Sequence, residues 1–266
     1  MTPKRPHFHT GLIPPLTFLL LFALSCASCT RPAEPAPAPP PGPTAPELIA
    51  QAEALYAQRD SLERVREAVS LMRRARATDN QSYEAAWKLS KFSYYLGEYG
   101  EDEGVRTEAF REGIAAGQSA IALDPNKPEG HFWLGANLGG RARLQGPIYA
   151  LSSVPDIRRE METVVRLDEG FQGGSAYMAL GQIELELGML GGDPKRAVEY
   201  LEKGLQFGET NTMLRLRLAE AYLAVNRDED ARRQLNAIIK TTPNPDYAQE
   251  HKRAVEEARK LLEKRL

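Results

Sequence analysis

The chain has 266 residues, 42% of them hydrophobic, enough to bury a sizeable core in one domain or a solenoid. Its 34 basic and 36 acidic residues leave a net charge of −2, with no basic block and no aromatic-interleaved basic stripe, so a nucleic-acid partner is not expected. The 21 glycines and 19 prolines are clustered rather than periodic, which excludes collagen-like and wholly disordered readings.

The N-terminus reads as an export signal. Lys4 and Arg5 precede an apolar run at 12–24, and Ser25-Cys26-Ala27-Ser28-Cys29 follows. The run falls short of the roughly 20 apolar residues of a membrane span and suits a signal-peptide core. It resembles the bacterial lipoprotein signal, in which a small residue precedes a cysteine that is acylated and becomes the mature N-terminus. Cys26 fits that place. Cys29 is the alternative site, and an ordinary secretory signal cleaved near Ser28 is the alternative process. Residues 1–25 are thus expected to be signal peptide, and 26–46 a lipid anchor (palmitate-type acylation) with a tether. The tether, RPAEPAPAPPPGPTAP at 31–46, is expected to stay extended as polyproline II, reaching up to roughly 50 Å. The neutral Ala27 after the anchor resembles lipoproteins sent to the outer membrane, so the expected place is the periplasmic face of a bacterial envelope.

From residue 47 onward the apolar spacing is helical. Residues 47–60 carry Ile49, Ala52, Leu55 and Tyr56, and a partner at 62–77 carries Val65, Ala68, Val69 and Met72. A second pair opens at Ser82 with Leu89, Ser90, Gly97 and Tyr99. A polar insertion at 100–105 then precedes a helix at 107–123 that stops at Asp124-Pro125. A third pair opens at Pro128 with Leu134-Gly135. A long connection at 145–155 is expected before its second helix, which ends at Leu167-Asp168. The fourth has Leu180-Gly181, then Gly191-Gly192-Asp193-Pro194, where glycine ends one helix, Asp193 caps the next and Pro194 opens it. Ala197, Leu201 and Leu205 follow. Residues 213–243 form the fifth pair, and 246–266, rich in Lys, Arg and Glu, read as a solvated capping helix.

The fifth pair is the most regular. Leu218, Ala219 and Tyr222 share one face, Asn226-Arg227-Asp228 make the turn, Ala231, Leu235 and Ile238 pack back, and Pro243 ends it. This resembles a tetratricopeptide unit, a helix-turn-helix repeat of roughly 34 residues that must stack on others to bury its apolar face. Leu134 to Leu180 is 46 residues and Leu180 to Leu218 is 38, and the excess is expected in turns at 145–155 and 190–194. The expected fold is all-α: a tetratricopeptide-like α-solenoid of about five helix pairs plus a C-terminal cap, over residues 47–266.

In such solenoids the first helix of each pair lines the concave face. Counting from each Leu-Gly position, the inward places are Trp87 and Tyr94, Phe132 and Gly139, Met178 and Leu185, and Leu216 and Leu223. Trp87, Tyr94, Phe132, Met178, Leu185 and Leu216 are the expected lining of a groove. An apolar groove suits a hydrophobic small molecule or an amphipathic helix. Alternatively the C-terminal helix or an inserted loop covers this face and makes it core. Lys91 alone would suit a clamp for a peptide carboxylate. Gly135, Gly139 and Gly140 share one helix despite a cost of roughly 1 kcal/mol each relative to alanine, which calls for close helix contact or an opening beside a ligand. Nothing marks a nucleophile. With His7 and His9 in the export segment, only His131 and His251 remain, neither has a local partner motif, and no zinc site can be assembled. No enzyme activity, metal or cofactor is expected.

From Pro128 onward, PEGHFWLGANLGG, IRREMETVVRLDEGFQGGSAYMALGQ, GGDPKRAVEYLEKGL, LRLAEAY and PNPDYAQEHKRAVEEARKLL resemble the T-component family of TRAP transporters, lipid-anchored tetratricopeptide proteins of the bacterial envelope. The resemblance covers roughly residues 83–266. It implies a periplasmic solute-binding subunit and a membrane permease as partners, and an apolar or amphipathic organic ligand. Membrane contact would run through the anchor, and homo-oligomers stay open. The rival expectation is a structural adaptor for envelope assembly that binds protein helices and no small molecule.

Overall fold

The computed structural model describes residues 42–265, all within one compact unit. The export segment, Cys26, Cys29 and residues 31–41 of the tether lie outside the described residues. Within them run eleven α-helices: α1 Ala45–Tyr56, α2 Leu62–Thr78, α3 Tyr83–Tyr99, α4 Glu103–Leu123, α5 Pro128–Gln145, α6 Pro147–Leu167, α7 Ser175–Leu187, α8 Pro194–Leu205, α9 Thr212–Ala224, α10 Asp228–Lys240 and α11 Ala248–Arg265. Short 3₁₀ turns occupy Gly188–Leu190 and Pro245–Tyr247. The five pairs and the final helix agree with the fold read from the sequence.

Local chemistry sets the ends. Thr44 and Glu47 form a capping box on α1, so the helix begins at Ala45 and absorbs Pro46 in its first turn, two residues earlier than the tether boundary expected. Asp102 accepts from the Val105 amide and starts α4 at Glu103, which shrinks the supposed polar insertion to a short turn. Asp193 accepts from the amides of Lys195 and Arg196, with Pro194 beside it in the first turn, as expected. Asn226 sits at φ +60 in the turn of the fifth pair.

The largest departure lies at residues 145–155. They are not a loop. Gly146 alone, at φ +92, turns the chain between α5 and α6, and α6 then runs for 21 residues with Pro155 inside it. Proline removes one amide from the ladder, and the Ser152 and Ser153 hydroxyls both back-bond to the Tyr149 carbonyl just upstream. Burial of Ile157, Met161 and Val164 holds the helix together through that defect. The excess repeat length is therefore helix.

Each helix packs on the next, and the inner helices also meet in series, α1 with α3 and α3 with α5, then α7 with α9 and α9 with α11. The series is interrupted between α5 and α7, which meet mainly through α6. Three apolar clusters result: one from α1 to α4, one from α5 to α7, and one from α8 to α11.

Candidate ligand cavity

The break between α5 and α7 is a cavity of about 180 Å³. Its α5 wall runs from Phe132 to Arg143, roughly 16 Å at about 1.5 Å per helical residue. Small residues make the room: Ala136, Gly139 and Ala142 on α5, Ala150 on α6 and Ala179 on α7. Val154, Ile157 and Met161 of α6 and Met178, Ile183 and Leu187 of α7 supply the apolar surface. Tyr94 and Phe132 close the inner end, both against Trp133, with ring centroids 5.7 and 5.0 Å away. Leu151 and Leu190 stand at the mouth.

The three glycines of α5 divide by role. A β-carbon at Gly135 would overlap the Met161 methyl, and one at Gly140 the Phe110 ring, so these two exist for close contact. A β-carbon at Gly139 would meet nothing nearer than Arg143 Nη1 at 3.8 Å, because it opens on the cavity.

Polar side chains on the wall are already paired. Arg143 donates to Glu98 at 2.8 Å, Gln182 to Glu186 at 2.6 Å, and the Ser175 hydroxyl to the Gln172 carbonyl at 2.7 Å. Burial opposes the charge of Arg143, yet Tyr94, Glu98 and Glu186 around it hold its guanidinium above the ordinary range. Burial, then the Glu98 charge, keeps the Tyr94 phenol up and neutral. An occupant of this space has few unspent polar partners, so it must itself be apolar along its length.

Of the expected lining residues, Tyr94, Phe132 and Met178 meet at this cavity, together with Gly139. Trp87 packs half-buried on the edge of the same cluster, outside the cavity, and Leu185 packs half-buried against the C-terminal cluster. Leu216 is a correction. It is 2% exposed and part of the core shared by α8 to α11, because α11 packs on α9. The concave face is thus covered at its C-terminal end and open between α5 and α7. Sequence reasoning misses the α6 contribution because Pro147 and Pro155 read as breakers. The signal is nevertheless there: Leu151, Val154, Ile157 and Met161 follow one another at three- and four-residue steps, as on a helical face.

Two other polar groups have structural explanations. His131, 8% exposed, faces the Glu160 carboxylate at 2.7 Å through Nδ1 and the Pro125 carbonyl at 3.0 Å through Nε2, which ties α5 to α6. Its partner lies 29 positions away, so no local motif could reveal it. Lys91 is sandwiched by the Tyr56 and Trp133 rings at 5.1 and 5.8 Å, and burial, then Arg59 and Lys88, lower its pKa. Among the described residues no cluster of His, Cys, Asp and Glu could hold a metal ion, and no helix is long and apolar enough to cross a membrane.

A family model described as regulator of microtubule dynamics protein 1-3 matches residues 48–191, more than half of the chain. The chain belongs to that family. The regulator of microtubule dynamics segment runs from α1 to just past Leu190 and so contains every residue lining the cavity. A tetratricopeptide repeat model matches residues 189–250, continuing the solenoid. No curated protein matches the chain. Among solved structures, TTC0263, a thermophilic tetratricopeptide protein of Thermus thermophilus, is 19% identical with a TM-score of 0.61, covering 80% of this chain and 100% of its own. The pilF protein of Pseudomonas aeruginosa is 16% identical with a TM-score of 0.54, covering 82% of this chain and 90% of its own. These likenesses establish the tetratricopeptide-type fold.

Proposed function

We propose that the chain is a non-enzymatic tetratricopeptide scaffold that holds the straight apolar chain of an amphiphile between α5, α6 and α7, at a bacterial envelope to which an acylated Cys26, or Cys29 in its place, anchors it. The supporting observation is the cavity itself: bounded by some 16 Å of α5, walled by small and aliphatic residues, with its polar groups already paired. At about 180 Å³ it is below the roughly 300–1,000 Å³ of sites that enclose drug-sized ligands. A linear chain fits such a space where a bulky ring system does not. The finer role we propose is that of an accessory component of TRAP-type uptake, docking a periplasmic solute-binding subunit beside its permease; the motifs from Pro128 onward and the apolar cavity support it. What the family description says of microtubules concerns the proteins it was named for.

The test is a series of 1-alkanols from hexanol to tetradecanol added to the full chain while its melting temperature is followed. Burial is worth about 0.8 kcal/mol per methylene, so stabilisation should climb with chain length and level off once the slot is full. A flat response across the series sinks the ligand reading. Purification of the full chain from native membranes then separates the two roles. Recovery of a solute-binding subunit supports uptake; recovery of envelope-assembly proteins alone favours the adaptor.

A further inference from the structure

The cavity mouth has an unusual rim. Ile148 is 89% exposed, Leu190 62% and Leu151 46%, three of the largest aliphatic side chains left in water among the described residues. Leu151 and Leu190 line the mouth, and Ile148 lies three residues before Leu151 on the same side of α6. Arg141 and Arg143 of α5 stand beside this rim, and Asp156 of α6, Glu186 of α7 and Asp193 before α8 border it directly, so its surround carries both signs of charge. The carboxylate that does reach the cavity wall, Glu186, is occupied by Gln182, and Glu98 behind it by Arg143.

We propose that this rim is a bilayer-docking lip: Ile148, Leu151 and Leu190 seat in the apolar layer of a lipid surface. Two observations favour a bilayer over a protein groove. The exposed side chains are continuous with a slot shaped for a linear chain, so an acyl chain would pass from membrane to cavity without crossing water. They are aliphatic rather than aromatic, unlike the anchors typical of protein interfaces. The inference rests on the reading of the cavity as an acyl-chain site.

The test uses the full chain in vesicles of phosphatidylcholine with a minority of phosphatidylglycerol, carrying a photo-crosslinking amino acid at position 148, with position 239 as control. Ile239 is 37% exposed on α10 and belongs to no part of the cavity. Lipid adducts several-fold more abundant at 148 than at 239 are expected. Equal labelling overturns the lip, because both positions share the same N-terminal attachment. Adducts at 148 to a second copy or to another protein, in place of lipid, overturn it as well and make the rim a protein interface. Ile148→Ser, which lies outside the cavity lining, should keep the alkanol response and lose most of its membrane contact, read by a fluorophore at the neighbouring Ser152. A missing alkanol response in the unsubstituted chain is failure of the cavity reading, and it is seen independently of the crosslinks.

Discussion

Gly140 of α5 lies directly against the ring of Phe110 of α4, so that a β-carbon at position 140 would overlap the aromatic carbons. Phe110 is fully buried, and Gly97 of α3 lies against the same ring. The ring therefore fills a slot cut by two glycines on two helices and fixes how closely α3, α4 and α5 approach. Gly140→Ala should improve intrinsic helix propensity by about 1 kcal/mol and still destabilise, because overpacking costs roughly 1–3 kcal/mol where a rigid ring cannot retreat. A fall in melting temperature of a few degrees is expected by circular dichroism. Phe110→Leu in the same background should return part of the loss; two additive losses would show that the contact is not the cause.

The neighbouring glycine should respond with the opposite sign. Gly139→Ala adds a methyl group that meets nothing closer than 3.8 Å, so the helix gain stands alone and stability should rise by about 0.5–1 kcal/mol. Gly139→Leu fills the slot and should abolish stabilisation by 1-dodecanol while leaving the melting temperature of the free protein near or above its original value. Retained alkanol binding in that variant would place the ligand elsewhere.

These adjacent residues show what the sequence can and cannot convey. The helical periodicity, the Leu-Gly contacts and the Asp193-Pro194 cap are legible because they depend on neighbours within a few positions. Tyr94, Phe132 and Met178 are legible as inward positions because the repeat fixes which helix face points in. That Gly139 is open while Gly140 is closed depends on where Phe110 and Ile157 come to rest, which no local pattern states. Leu216 fails for a related reason: α11, which reads as a solvated cap, buries Ala254 and Ala258 in the cluster that holds it. Pro155 misleads because proline breaks an isolated helix far more readily than one clamped on one side by Ile157, Met161 and Val164.

The two ends of the solenoid are joined by α11. Arg59, in the turn after α1, donates to Glu250 at 3.2 Å across 191 residues of sequence, and Arg253 stacks 3.5 Å from the centre of the Tyr99 ring. The pair is sheltered, with side-chain exposures of 11% and 25%, so it outweighs a surface salt bridge. Glu250→Arg places a cation against Arg59 within the field of Lys91 and should cost about 2–4 kcal/mol, somewhat below the roughly 3–5 kcal/mol of breaking a fully buried pair because this one keeps some exposure. Hydrogen exchange should quicken first in the opening turns of α11, ahead of its C-terminal half, which Leu261 and Leu262 hold to the core. The swap Arg59→Glu with Glu250→Arg should recover part of both effects. No recovery would mean that the attraction between the two charges is not what closes the ends.

Alkaline pH should probe the most regular pair. The Tyr222 hydroxyl donates to Glu202 at 2.8 Å, and burial, followed by that bond and the Glu202 charge, pushes the phenol up to about 12 from 10.0, with Arg227 opposing. The folded state therefore holds its proton across a window in which the unfolded phenol has lost it. The contribution is fully present below pH 10 and is lost as pH rises toward 12. Tyr56, Tyr94 and Tyr99 are also shifted up, so the natural chain alone cannot isolate one group. The difference between the natural chain and Tyr222→Phe can. Measured by urea unfolding, it should be constant below pH 10 and shrink between pH 10 and 12, as the stability of the natural chain falls more steeply. A difference that stays constant across that window would place the Tyr222 phenol at its ordinary value and its carboxylate bond outside the folded state in solution.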